Sequence, residues 1–149
     1  RRCFRPLMRW AGATRPVLAY NRPMLGGLVA VGTGAAVGAW LRWGLSAWLN
    51  PRVPHFPLGT LAANLIGGYL VGFAIAFFAA RHELPPEVRL FAITGLLGGL
   101  TTFSTFSSGV TQLLLRGEYW TGGSLVLAHL GGSLVLTVAG IATFRALAA

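Results

Sequence analysis

The stretch Gly98-Gly99-Leu100-Thr101-Thr102-Phe103-Ser104-Thr105-Phe106-Ser107-Ser108 lies inside a run that is otherwise apolar from Leu90 to Leu115. A helix crossing a bilayer core takes about 20 apolar residues, and this run is long enough. Yet six of the eight residues 101–108 carry a hydroxyl. Polar groups at that depth need partners or a wet path. Glycine and β-branched threonine both weaken a helix, so the stretch predicts a non-helical break around Gly98–Thr102. A break frees carbonyls from their helical partners, and those oxygens then need a cation, water or another donor. Hydroxyls can bond back to their own helix, but a density this high exceeds that use.

Working outward, three further apolar runs appear. The first extends from Leu25 to about Leu49, and its Gly32, Gly34 and Gly38 sit at spacings that let a neighbouring helix approach closely. Pro51, Pro54 and Pro57 make a stiff connection to the second run, Leu58–Ala80, which ends at Arg81-His82-Glu83 and Pro85-Pro86. Arg116, Gly117 and Glu118 separate the third run from the fourth, Thr121 to Phe144. The fold class that follows is an all-α membrane protein of four transmembrane helices, at about 25–49, 58–80, 90–115 and 121–144, with the third broken near its middle.

Composition agrees. Of the 149 residues 54% are hydrophobic and only 10% charged, against about 25% charged in a soluble domain. A large water-facing domain is excluded, and residues 25–149 form one compact membrane unit. The formal net charge is +9 and every basic residue is arginine. Six of these (Arg1, Arg2, Arg5, Arg9, Arg15 and Arg22) fall in residues 1–24, read as a basic, poorly ordered extension with a short interfacial helix around Leu7–Trp10. A basic tail beside a membrane meets anionic lipid or fixes orientation, so the bilayer and not nucleic acid is its expected partner. The lone Cys3 excludes an intrachain disulfide. Outside the extension the arginines are nearly balanced, with Arg81, Arg89 and Arg145 at one membrane face and Arg52, Arg116 and Arg42 toward the other. Such a chain can insert both ways up, while the extension pulls toward one orientation.

The polar residues of the spans are the candidates for chemistry. Thr60 and Asn64 are four apart and share a helix face, offering a hydroxyl and amide hydrogens as donors or else a helix–helix contact. Phe103 and Phe106 are three apart among the hydroxyls, and ring edges with partial positive charge suit an anion. Ser104 and its neighbouring hydroxyls are further donors. Arg42 near the end of the first span either snorkels to the headgroups or draws anions toward a vestibule. His129 stands alone in the fourth span with Ser133 four residues on. No second histidine, cysteine or carboxylate lies within a span, which excludes a side-chain metal set and an intramembrane enzyme. His55 and His82 fall in connections.

Three segments carry a resemblance to a known family. Gly34-Ala35-Ala36-Val37-Gly38-Ala39-Trp40-Leu41-Arg42-Trp43 resembles the first helix of the Fluc fluoride channels, the CrcB family. Gly59-Thr60-Leu61-Ala62-Ala63-Asn64-Leu65-Ile66-Gly67-Gly68 is similar to their second helix, and Gly98 to Ser107 to their most distinctive segment. The match runs in order over about residues 28–146. The resemblance implies an antiparallel, dual-topology homodimer in the cell inner (plasma) membrane, with two pores that export fluoride passively from the cytoplasm. It implies a structural sodium ion (Na+) held by backbone carbonyls, which fall here at Gly98 and Thr101. It also implies pore roles for Phe103, Phe106 and Asn64, with a polar track through Thr60 and Ser133.

The chain departs from the family pattern at His129, where an imidazole either makes conduction pH-dependent or faces away from the pore. The arginine-rich extension is a second departure. Fluoride is small and strongly hydrated, so a pore has to replace its water with close donors that bind weakly and in sequence. No arginine lies at mid-span to hold the ion too tightly. Two alternatives fit four short spans: a dual-topology, proton-coupled exporter of organic cations, which needs a membrane carboxylate that the spans lack, and a non-transporting assembly partner.

Overall fold

The computed structural model describes residues 17–53 and 56–148, with side chains from residue 24 onward. The basic stretch through residue 16, including the expected helix around Leu7–Trp10, lies outside the described residues, as does His55. Helix α1 is Val17–Leu49, so it begins within the stretch read as an extension, and one 3-10 turn, Asn50–Arg52, follows it. Helix α2 is Leu58–Ala80. Helix α3 covers residues 86–100 and α4 is Phe103–Leu115, while α5 is Tyr119–Ala148. No strand occurs among the described residues. Four helical spans, counting Pro86–Leu115 as one, are long and apolar enough to cross a membrane.

Local chemistry sets the ends of these elements. Asn50 Oδ1 accepts a hydrogen bond from the Gly59 amide at 2.8 Å, satisfying a free donor in the first turn of α2. Pro86 opens α3 at a position where its missing N–H costs nothing, with Glu87 beside it in the first turn. Glu87 therefore lies in the first helical turn, where its charge suits the positive end of the helix dipole. At the end of α4, Gly117 takes φ 77° while Glu118 N–H donates to Leu113 O at 2.9 Å and Gly117 N–H to Leu114 O at 3.0 Å. This is a Schellman cap, and it turns the chain into α5.

Helix α3 differs from a simple span in two ways. Between its α-helical ends, Leu90–Leu97 winds as a π-helix, with Gly98–Leu100 returning to α geometry. Then Thr101 (φ −82°, ψ 154°) and Thr102 (φ −151°, ψ 120°) leave helical geometry altogether. The break is thus narrower than the Gly98–Thr102 window expected. The π-helical stretch had no counterpart in the sequence reading, because wide winding depends on what the helix packs against.

Two close helix pairs carry the fold, α1 with α3 and α2 with α5. A Cβ on Gly38 of α1 would overlap the Leu96 carbonyl oxygen and sit 2.7 Å from the Leu100 amide nitrogen of α3. A Cβ on Gly140 of α5 would overlap the Tyr69 carbonyl oxygen and sit 2.8 Å from Phe73 N of α2. Glycine at these crossings lets backbones approach, which in lipid replaces the hydrophobic drive as the source of helix association. The buried apolar core is correspondingly small, centred on Ala63, Leu97 and Leu100. Many large apolar side chains face outward, among them Trp40, Trp43, Leu127 and Leu134. Such a surface suits lipid or a second membrane chain and not water.

Candidate functional site

The break between α3 and α4 opens beside a cavity of about 470 Å³ bounded by α2, both halves of the broken span and α5. Asn64, Gly98, Thr101, Phe103, Phe106 and Ser133 all line it. Residues 38 and 65 positions apart in the chain meet here through hydrogen bonds.

Each group is held for a definite reason. Thr102 has extended backbone and serves as the N-cap of α4, its Oγ1 accepting from Thr105 N–H at 3.3 Å. Its own N–H donates to Asn64 Oδ1 at 2.8 Å, and its carbonyl accepts from Asn64 Nδ2 at 3.0 Å. One side-chain amide on α2 therefore pairs with both main-chain groups of one residue of the break, Thr102. Asn64 Nδ2 also lies 3.0 Å from His129 Nδ1 on α5. The imidazole stacks near Phe106 with ring centroids 4.6 Å apart and planes 31° from parallel. Phe106 in turn meets Phe103 at 5.4 Å and 63°.

The two cut ends of the span carry opposite character. Helix α4 presents its N-terminus, the partly positive end of a helix dipole, and the rings of Phe103 and Phe106 to the same region. Helix α3 ends in free carbonyls, the partly negative end. In a continuous helix Gly98 O would accept from the Thr102 amide, which instead donates to Asn64. Thr101 O would accept from the Thr105 amide, which instead donates to Thr102 Oγ1. The Gly99 carbonyl between them accepts from Arg42 Nε at 3.1 Å. The carbonyls of Gly98, Leu100 and Thr101 are thereby without a helical donor, and oxygens of this kind suit a hard cation, so the two that the family resemblance implies for sodium, Gly98 and Thr101, fit that role chemically. Among the described residues no cluster of three histidine, cysteine, aspartate or glutamate side chains offers an alternative metal site.

Three of the residues singled out from sequence lie away from the cavity wall. Thr60 is 1% exposed and buried one turn before Asn64. Ser104 is exposed in the first turn of α4, its Oγ 3.1 Å from Thr102 Oγ1. Arg42 is half-buried and bonded to the Gly99 carbonyl, so its Nε is directed at the break and not at the headgroups. Three lining residues with polar side chains were not among the pore or metal residues expected from sequence: Thr102, His129 and Thr137. His129 faces the cavity rather than away from it. Thr137 Oγ1 lies 3.0 Å from Gly68 O and 2.8 Å from Ser133 O as donor. The signal for both α5 residues was present, since His129, Ser133 and Thr137 recur every four residues along one helix face.

The cavity is open on one side. Phe103 borders the cavity yet is 71% exposed.

Comparison with known proteins places this arrangement. The family described as CrcB-like protein, Camphor Resistance (CrcB), matches residues 29–141. A protein of Thiobacillus denitrificans named fluoride-specific ion channel FluC is 60% identical over 117 residues, covering 78% of this chain and 94% of its own length. Proteins of the same name from Cupriavidus necator and Nitrosospira multiformis are each 62% identical over 122 residues. These cover 82% and 81% of this chain, and 97% and 94% of their own lengths. With its four spans, its broken third helix and this degree of identity, the chain belongs to the CrcB family.

Proposed function

We propose that this chain is the subunit of a fluoride-selective ion channel that lets fluoride leave the cytoplasm passively. The observation that carries the reading is the cavity at the helix break, which joins donors, ring edges and the positive end of α4 without a lysine or arginine among its lining residues. Fluoride gives up a tightly held hydration shell only to close donors, and it moves on only if none of them holds it strongly. Neutral hydroxyl, amide and imidazole groups meet both demands. The multi-pass chain sits in the plasma membrane in a bacterial host, and its task is conduction rather than catalysis. An organic-cation exporter has no comparable support, because the relatives are named as fluoride channels and the cavity offers no carboxylate.

The working unit in this reading is an antiparallel homodimer inserted with dual topology. Two features support it. The cavity lacks part of its wall, with Phe103 left exposed at its edge, and the arginines outside the N-terminal stretch are nearly balanced between the two membrane faces. A partner packed against Phe103 would close the path. Asn64, Phe103, Phe106 and Ser133 are the pathway residues in this reading, with Thr60, Ser104 and Arg42 supporting them from behind or beside the wall.

Sodium fits the carbonyls of Gly98 and Thr101, whose helical donors are both drawn elsewhere. When bound, it supplies fixed positive potential near the path without contacting the anion. The chain's own part is to keep those oxygens free: Asn64 takes the Thr102 amide, Thr102 Oγ1 takes the Thr105 amide, and Arg42 occupies Gly99 O.

Purified protein in liposomes loaded with equal fluoride and chloride tests the function. Fluoride efflux without chloride efflux is the expected result. Well-folded protein that passes neither ion, or both alike, overturns it.

A further inference from the structure

A second cavity, of about 450 Å³, opens where the connection between α1 and α2 packs against the second half of α4. It shares no lining residue with the cavity at the helix break. Along α4 it runs from Gly109 to Arg116, about 10 Å of helix.

Aromatic residues mark its level in the bilayer. Trp48 at the end of α1, with Tyr119 and Trp120 at the start of α5, are all exposed. The Arg52 guanidinium lies 4.2 Å over the Trp48 ring. Exposed tryptophan and tyrosine gather at the headgroup level of a membrane. The end of the cavity at Arg116 therefore meets headgroups, and the end at Gly109 meets acyl chains.

The lining has the same two characters. Phe56, Pro57 and Leu113 give it apolar walls, while Asn50, Gln112 and Arg116 supply polar groups. Asn50 Oδ1 accepts from the Gly59 N–H at 2.8 Å, which leaves its Nδ2 hydrogens to donate. Gln112 Nε2 gives one hydrogen to Ser108 Oγ at 3.3 Å and keeps a second. The Arg116 guanidinium has no carboxylate partner among the described residues, whose one ion pair joins Arg81 and Glu83. Nor does the end of α4 need its charge, since the carbonyls of Gln112, Leu113 and Leu114 already accept from the main-chain N–H groups of residues 116–118. Three donors and no carboxylate, gathered at headgroup level, suit a phosphate group. A small free anion would leave the apolar walls and most of the volume uncovered, whereas glycerol and an acyl chain fill both.

We propose that this cavity binds an anionic phospholipid, its phosphate held by Arg116, Gln112 and Asn50 and its acyl chain laid against Phe56, Pro57 and Leu113. The lipid is anionic because no lining carboxylate receives the ammonium of an ethanolamine or choline headgroup. The site goes beyond the channel reading and does not depend on it.

Native mass spectrometry of the full chain in detergent tests the proposal, with phosphatidylglycerol or phosphatidylcholine of the same acyl chains added. Wild-type protein is expected to retain phosphatidylglycerol over phosphatidylcholine by about fivefold, equivalent to about 1 kcal/mol for one arginine near an anionic headgroup. Arg116→Gln is expected to lose that preference and Gln112→Leu to weaken it, while Arg145→Gln at the opposite membrane face keeps it. Glycerol phosphate, which has the headgroup chemistry without the tails, is expected not to displace the lipid. Equal retention of both lipids by wild type, or a preference undiminished in Arg116→Gln, overturns the proposal. Displacement by glycerol phosphate also overturns it, in favour of a soluble phosphate ligand. A shift of Arg116→Gln to a smaller species on size exclusion does the same, by making the cavity a contact between copies of the chain. Conduction is read in none of these arms, so failure here leaves the channel reading standing.

Discussion

Arg42 on α1 donates its Nε–H to the carbonyl oxygen of Gly99 at 3.1 Å, across 57 residues of chain. A cation from one helix thereby caps the negative end of the first half of another. A helix interrupted inside a bilayer exposes carbonyls that water cannot reach, and each unsatisfied one is costly. Arg42 meets that need for the oxygen between the two proposed for sodium. Its position also explains why a lone arginine is tolerated within a span, since its side chain is half-buried and has a half-buried carbonyl as partner.

Removing that cap should loosen the break. Arg42→Ala is expected to destabilise the protein by about 1.5–3 kcal/mol, the range for a hydrogen bond to a charged group. Arg42→Lys should recover only part, because an ammonium does not reproduce the directed Nε–H. Thermal unfolding in detergent measures both. Equal stability of Arg42→Ala and wild type would show that the contact contributes nothing.

The α1–α3 crossing makes a second prediction. Gly38→Ala places a methyl group against backbone atoms of Leu96 and Leu100, which cannot swing aside as a side chain would. Overpacking of this kind costs about 1–3 kcal/mol. Gly44→Ala on the same helix meets nothing within 4 Å and should change stability by less than about 0.5 kcal/mol. The comparison is read as the difference in midpoint between the two variants, and similar midpoints would argue against close packing at Gly38.

Sodium should stabilise the assembled protein by mass action, since an ion that binds only the folded state raises its stability with concentration. Exchange of sodium for N-methylglucamine at constant ionic strength is expected to lower the melting temperature and to promote dissociation on size exclusion. Thr101→Ser should keep the sodium response, because the proposed ligand is a main-chain oxygen. A melting temperature independent of sodium removes the ion from the proposal.

Phe106 is 6% exposed, against His129 on one side and Phe103 on the other. Phe106→Ile keeps an apolar side chain of moderate size but loses the ring edge and the stacking on the imidazole. Fluoride efflux is expected to fall by about tenfold or more, equivalent to about 1.4 kcal/mol on the barrier, while the proposed dimer persists on size exclusion. Unchanged efflux would take this ring out of the pathway.

What could be read without coordinates was whatever depends on residues close together in the chain. Four long apolar runs and a charge content of 10% require membrane spans, because a helix in lipid satisfies its backbone internally and needs only length and hydrophobicity. The glycines and hydroxyls from Gly98 to Ser108 announced a break for the same local reason, and Thr102 with Thr105 supplied its N-cap. The π-helical winding of Leu90–Leu97, the segment that packs closely on α1, had no signal in the pattern of those eight residues.

Only the tertiary structure decided which polar groups belong to one site. Thr60 and Asn64 share a helix face in sequence, yet only Asn64 reaches the cavity. Ser133 stood out from spacing, but Thr137 one turn on and His129 one turn before join it there. The partners of Arg42, Asn64 and His129 lie 57, 38 and 65 positions away, and a hydrogen bond across such distances depends on how whole helices cross. Composition and local pattern determined that the chain spans the membrane and interrupts its third helix. The crossing of α1 with α3 and of α2 with α5, set by backbone contact at glycine, determined where the freed carbonyls, the amide and the imidazole point.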